Sequence, residues 1–124
     1  MIARPTLTNI VLDGADVGRL STFWAQLLDG TVDGSDEAWH DVHVPGMPAI
    51  SIQHAPGHVP PQWPEGPSQQ VHLDFRVADI AAAHAHDVAL GARVLAPEQG
   101  PDPSRSSGFQ VYADPAGHPF CLCW

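Results

Sequence analysis

Lysine is absent from this 124-residue chain, and its five basic residues are all arginines, scattered at positions 4, 19, 76, 93 and 105. Against fourteen acidic residues they leave a formal net charge of −9. Binding nucleic acid takes a basic patch that neutralises phosphates, and none can be assembled here, so no nucleic-acid partner is expected. The same deficit argues against an anionic membrane surface. No apolar run approaches the roughly 20 residues that span a bilayer. Met1 to Pro5 carries one positive charge with no apolar run behind it, so no signal peptide is expected. Cysteine is scarce too. Cys121 and Cys123 lie two apart in what reads as a strand, where their side chains point the same way but stand too far apart to bridge. Free thiols fit a reducing compartment, and the expectation is a cytoplasmic soluble domain.

What is present is enough for one compact domain. With 44% hydrophobic residues, a chain of this length buries roughly two-thirds of its unfolded surface without staples. Thr6 to Asp13 alternates like a strand, with Asn9 and Val11 on one face. Asp16 is suited to cap the run Val17 to Leu28, whose apolar positions Val17, Leu20, Phe23, Trp24, Leu27 and Leu28 fall at helical spacing, and Gly30 stands just beyond. That stripe, Trp24 included, reads as core. Thr31 to Asp33 is a short strand before a turn. Ala38 to Val44 alternates, with Trp39, Asp41 and His43 on one face, and Ala49 to His54 alternates with Ser51 and Gln53 facing one way.

Residues 55–69 break the pattern, with five prolines in fifteen residues and no periodicity. This stretch reads as a connection, with Trp63 either closing one side of a pocket or covering a core edge. Periodicity resumes from Gln70 to Val77, with His72, Asp74 and Arg76 on one face. Asp79 caps Ile80 to Leu90, and Gly91 is placed to close that helix. Ile80, Ala83 and Leu90 point to the core, while His84 and His86 read as solvated. A short strand near Arg93 to Leu95 and a loop from Ala96 to Ser107 precede a hairpin, Gly108 to Ala113 and Pro119 to Trp124, whose turn puts His118 in solvent.

The chain is therefore one module written twice, each β-α-β-β-β. Asn9 and His72 both stand seven residues before their capping aspartate, and the agreement of element order, caps and hairpins supports the duplication more than any one of them. Together with Val71-His72-Leu73-Asp74-Phe75 and Asp114-Pro115-Ala116-Gly117-His118-Pro119-Phe120-Cys121, this pattern resembles the vicinal oxygen chelate superfamily, and within it the bacterial glyoxalase-like (glyoxalase/bleomycin resistance) domain proteins. The resemblance covers essentially the whole chain. It implies an α+β fold: two tandem βαβββ modules, about residues 6–54 and 70–124, forming a curled mixed-sheet cup with a helix flanking each module around a small-molecule site. It also implies a homodimer, which is common in the family.

Metal-using members line the cup with four side chains, typically His or Gln opening a strand and Glu closing a hairpin. By position these fall on Asn9, Ser51, His72 and Cys121, of which only His72 is of the expected type. Gln53, Asp74 and Cys123 lie one strand repeat away on the same faces. No cofactor is assigned outright, and a divalent ion held by His72 is the one candidate. Without metal, His72 can exchange protons near neutral pH, and Asp74, roughly 6–7 Å along the strand, can act on it electrostatically. Cys121 is a nucleophile only if a cationic neighbour lowers its pKa; otherwise both cysteines are apolar fillers.

Three readings follow. The first is an enzyme acting on a small oxygenated molecule by isomerase- or lyase-type chemistry, with His72 as acid/base or metal ligand and Asp74 beside it. The second is an antibiotic-sequestering resistance protein that needs only aromatic walls, for which Trp39, Trp63, Phe75, Phe109 and Trp124 are candidates. The third is a scaffold with an empty cup.

Overall fold

A computed structural model describes residues 4–66 and 71–124. The start of the second module's first strand at Gln70 lies outside these residues. The chain divides into two compact units, Met1–His58 and Val59–Trp124, and each holds one four-stranded mixed sheet and one helix.

In the first unit, β1 (Asn9–Gly14), α1 (Val17–Leu28), β2 (Thr31–Asp33), β3 (Trp39–His43) and β4 (Ala49–His54) follow in order. The sheet order is β1-β4-β3-β2, with β1 parallel to β4 and the other pairs antiparallel. Asp16 caps α1 by accepting from the Arg19 N–H at 3.0 Å. The stripe seen in the sequence is the buried one: Val17, Leu20, Phe23 and Trp24 pack over a sheet face that includes Val42, Ile50 and Ile52, all fully buried. Each such side chain contributes about 1.5–3 kcal/mol on burial. The helix closes on Asp29 in the left-handed conformation, not on a glycine. Gly30 serves a different need, since a Cβ there would meet the His43 carbonyl oxygen at 2.7 Å.

The second unit repeats the plan with β5 (Leu73–Arg76), α2 (Ile80–Leu90), β6 (Arg93–Ala96), β7 (Phe109–Ala113) and β8 (Pro119–Cys123). The sheet order is β5-β8-β7-β6, and β5 is parallel to β8. The first strand is shorter than its alternation suggests. β8 opens at Pro119, which has no N–H to donate, and the ladder begins one residue on, at Leu73 opposite Phe120. His72 stands just before the strand. Asp79 caps α2 from the Ala82 N–H at 3.0 Å, and Gly91 closes it at φ 115°, a conformation that favours glycine.

The inward face of α2 differs from expectation. Asp87 is buried beside Ile80, and His84 is half-buried, its Nδ1 2.8 Å from the hydroxyl of the fully buried Tyr112. His84 is thus not solvated: a buried phenol needs a partner, and this ring supplies it. His86 keeps half its side chain exposed and lies 2.9 Å from Asp87. His118 does not face solvent either. Its ring sits 2.8 Å from the buried Asp114 carboxylate, which also accepts from the N–H groups of Ala116 and His118 and so organises the β7–β8 turn.

Candidate functional site

In each sheet one face carries fully buried apolar side chains, Ile50 and Ile52 in the first and Phe120 and Leu122 in the second, and alternation sets Ser51 and Cys121 on the other. On the second sheet the ladder pairs Asp74 with Cys121 and Cys121 with Val111, so these three share a face. His72, two residues before Asp74, leans over the same spot, with its Nε2 3.3 Å from Asp74 Oδ1. The 6–7 Å strand repeat separates the backbones, while the side chains converge. Trp63, Phe109, Val111 and Pro119 complete a pocket of about 320 Å³ whose polar end is His72, Asp74 and Cys121. Trp63 therefore lines a pocket. Val111 and Pro119 were not singled out in the sequence, although alternation from Phe109 and from Cys121 points both toward this face.

The other named residues sort by face. Phe75 is turned to the opposite side of the sheet, its ring 6.3 Å edge-on from Phe120. Cys123 lies on the site's face, paired with Arg76 and Phe109 in the ladders, but does not line this pocket. Trp124 lines a separate hollow with Phe109, Arg105 and the loop around Pro101.

In the first unit Asn9 Nδ2 donates to Ser51 Oγ at 2.8 Å, and Ser51 donates to Asp41 Oδ1 at 2.6 Å. Trp39 Nε1 donates to the same oxygen at 2.8 Å. Gln53 is exposed at the end of β4, paired with Asp13 and Trp39. Asp41, absent from the sequence-based set, is the acceptor on which this chain ends. Its alternation with Trp39 and His43 was the available signal. The Ser51 hydrogen bond holds its carboxyl below the ordinary range, against a smaller opposing effect of burial.

Cys121 does not meet the condition for a nucleophile. Burial, and then its hydrogen bond to Asp74 and that group's negative charge, push its thiol up to about 12. Cys123 is also raised, chiefly by burial. Both thiols are free.

Among the described residues, the ligand atoms of His72, Asp74 and Cys121 form a group able to hold a metal ion, all lying within 4.8 Å of one another. Three protein donors with one position left open is the arrangement of many catalytic divalent sites, and this donor set fits it. Asn9 and Ser51 fit less well, because each is already bonded within its own sheet.

A family model for the glyoxalase-like domain matches residues 9–123. The chain belongs to this family, within the vicinal oxygen chelate superfamily. Solved structures agree on the fold. A glyoxalase/bleomycin resistance protein/dioxygenase family enzyme from Burkholderia phytofirmans PsJN superposes with a TM-score of 0.71 at 16% identity, covering 96% of this chain and 98% of its own. A glyoxalase/dioxygenase from Nostoc punctiforme gives 0.72 at 15% identity, covering 99% and 95%. The oxidase ChaP-H2 gives 0.68 at 16%, covering 98% and 94%. No curated protein matches this glyoxalase-like chain. At these identities the neighbours establish architecture, and their differing activities leave the chemistry to the site itself.

Proposed function

We propose that this glyoxalase-like protein binds a small oxygenated organic molecule on the exposed face of its second sheet and acts on it by isomerase- or lyase-type proton transfer at His72. The supporting observation is the pocket of about 320 Å³, apolar on most sides and polar at one end. Trp63 and Phe109 offer flat apolar walls to a ring or chain. His72 presents Nε2 to Asp74, which leaves the opposite ring nitrogen to exchange a proton with the ligand. Asp74 is a positioning residue here, since its carboxylate, 3.3 Å from Nε2, orients the ring. Cys121 remains a neutral thiol at the floor.

The aromatic walls favour a second reading, in which the ligand is sequestered and not converted. Phe109 is 61% exposed, as suits a residue that awaits a partner surface. A panel of aromatic carbonyl and enol compounds, followed by tryptophan fluorescence, separates the two. Binding weakened by Phe109→Ala, with product formation lost in His72→Ala, supports the enzyme. Stoichiometric binding with no product and no effect of His72→Ala supports sequestration. Absence of binding in the whole panel, together with indifference of any activity to both variants, overturns the pocket.

We further assign the chain as a single cytoplasmic domain of two modules, residues 6–54 and 70–124, joined by residues 55–69 and paired as a homodimer. No described helix is long and apolar enough to cross a membrane. The outward face of α2, with Ala81, Ala82, Ala85 and Val88 exposed, is apolar enough to support self-association. Light scattering after size exclusion tests the dimer, and a monomer at micromolar concentration rejects it.

A further inference from the structure

We infer that the hollow at the open end of the β7–β8 hairpin is a second ligand site, one that takes a planar aromatic carboxylate with its ring against Trp124 and its anion on Arg105. The hollow holds about 610 Å³, nearly twice the His72 pocket, and has its own walls in Pro97, Pro101, Pro103, Phe109 and Trp124. Volumes of about 300–1,000 Å³ are those of small-molecule sites. Among the described residues Phe109 alone lines both spaces, and His72, Asp74 and Cys121 do not line this one. A molecule held here need not reach His72.

The loop that forms the rim is held by its own bonds. Pro97, Pro101 and Pro103 stiffen it. Its near end is tied to the core, where the fully buried Gln110 donates from Nε2 to the Pro97 carbonyl oxygen at 2.9 Å. Its far end is tied by Trp124 Nε1, which donates to the Arg105 carbonyl oxygen at 3.1 Å. A Cβ at Gly108 would stand 2.7 Å from Trp124 Cζ2, so glycine lets the indole lie against the backbone there. Walls of indole, phenyl and proline suit a flat aromatic ring. The charge at the rim decides the rest. Arg105 is exposed, is the only basic side chain lining the hollow, and makes no ion pair among the described residues. Asp102, the only acid lining it, has its Oδ1 occupied by the N–H and hydroxyl of Ser104 at 3.0 and 2.6 Å. A guanidinium presents paired N–H groups that match the two oxygens of a carboxylate. In a chain of net charge −9 this local cation is what turns the hollow toward an anion.

Titration calorimetry of the full chain with 2-naphthoate and with 2-naphthamide, its uncharged counterpart, tests the site. The acid should bind about tenfold tighter than the amide, as a charge-assisted hydrogen bond gives. Arg105→Gln, at an exposed position where folding is safe, should abolish that preference and leave amide binding within about twofold. Trp124→Leu should weaken both probes, while His72→Ala and Trp63→Leu in the neighbouring pocket should weaken neither. Equal affinity for acid and amide, a preference that survives Arg105→Gln, or no binding of either probe overturns the site. Naphthoate binding that falls with His72→Ala but not with Arg105→Gln also overturns it, and puts the anion in the His72 pocket. Loss of this site leaves proton transfer at His72 untouched.

Discussion

Aligned on their capping aspartates, the two modules exchange polar and apolar residues at equivalent ladder positions. Val11 pairs with Ser51 in the first as Asp74 pairs with Cys121 in the second. Asp41 pairs with Ser51 where Val111 pairs with Cys121. In the first module the carboxylate therefore sits on the middle strand and is saturated by Ser51 and Trp39. In the second it sits on the outer strand, facing His72 and a thiol, and the middle strand offers an apolar floor. The helices invert as well. Trp24, 1% exposed, anchors α1, and its counterpart in α2 is the buried Asp87. The first module closes its polar groups into one hydrogen-bonded network, whereas the second leaves His72 and Asp74 exposed beside a thiol.

The largest expected effect tests that division. Trp24→Ala should cost about 3–5 kcal/mol, the range for emptying a large core site, read as a shift in the denaturation midpoint at unchanged slope. A loss under about 1 kcal/mol would show that α1 is not the anchor. Next, Ser51→Ala removes the link between Asn9 and Asp41 and should cost about 1–3 kcal/mol, because it leaves a buried network incomplete. His72→Ala, at the second module's counterpart of Asn9, the other end of that hydrogen-bonded link, should stay within about 0.5 kcal/mol. Equal costs at the two positions would erase the contrast.

The two buried-side carboxylates should respond to pH with opposite signs. Asp41 is held low by the Ser51 hydrogen bond, so its stabilisation is complete above about pH 4 and is lost as pH falls through its depressed value. Asp87 is raised by burial, so stability is greatest below about pH 4 and declines as pH rises through its elevated value. Relative to the parent, Asp87→Asn should gain stability as pH rises across that window. Asp41→Asn should lose it as pH rises from strongly acid conditions toward neutrality. Denaturant midpoints measured across acid to neutral pH would show the crossing, and parallel curves would refute it. The smallest effect concerns the thiols. With Cys121 raised to about 12, alkylation of the metal-free native chain at neutral pH should label it far more slowly than the same chain in denaturant. Comparable rates would mean that the thiol is not sheltered.

Much of this was legible before any coordinates. Both helices run between the residues their caps and spacing indicate, since an aspartate before an apolar repeat satisfies free N–H groups wherever it occurs. The duplicated strand-helix-hairpin order and the Asp114 turn pointed to the family, because those features depend on local chemistry. His72 and Asp74 were legible as a pair from alternation alone. Harder to read were particular side-chain partners, whether distant in the chain or, as with Asp114 and His118, within one turn. Asp41 as the acceptor for Ser51, Tyr112 as the partner of His84, and Asp114 as the partner of His118 each depend on a side chain's direction. Phe75 shows the same limit: its alternation with Asp74 already put it on the opposite face, yet its aromatic character suggested a pocket wall.

By itself, then, the sequence determined the elements, their order, the duplication and the face on which His72 and Asp74 lie. These follow from periodicity and capping, which act over a few residues. Only the tertiary structure decided that Cys121 joins that pair while Asn9 and Ser51 are bound into another network, and that the pocket's floor is Val111. Strand register sets those contacts, and register is fixed by which distant strand lies alongside.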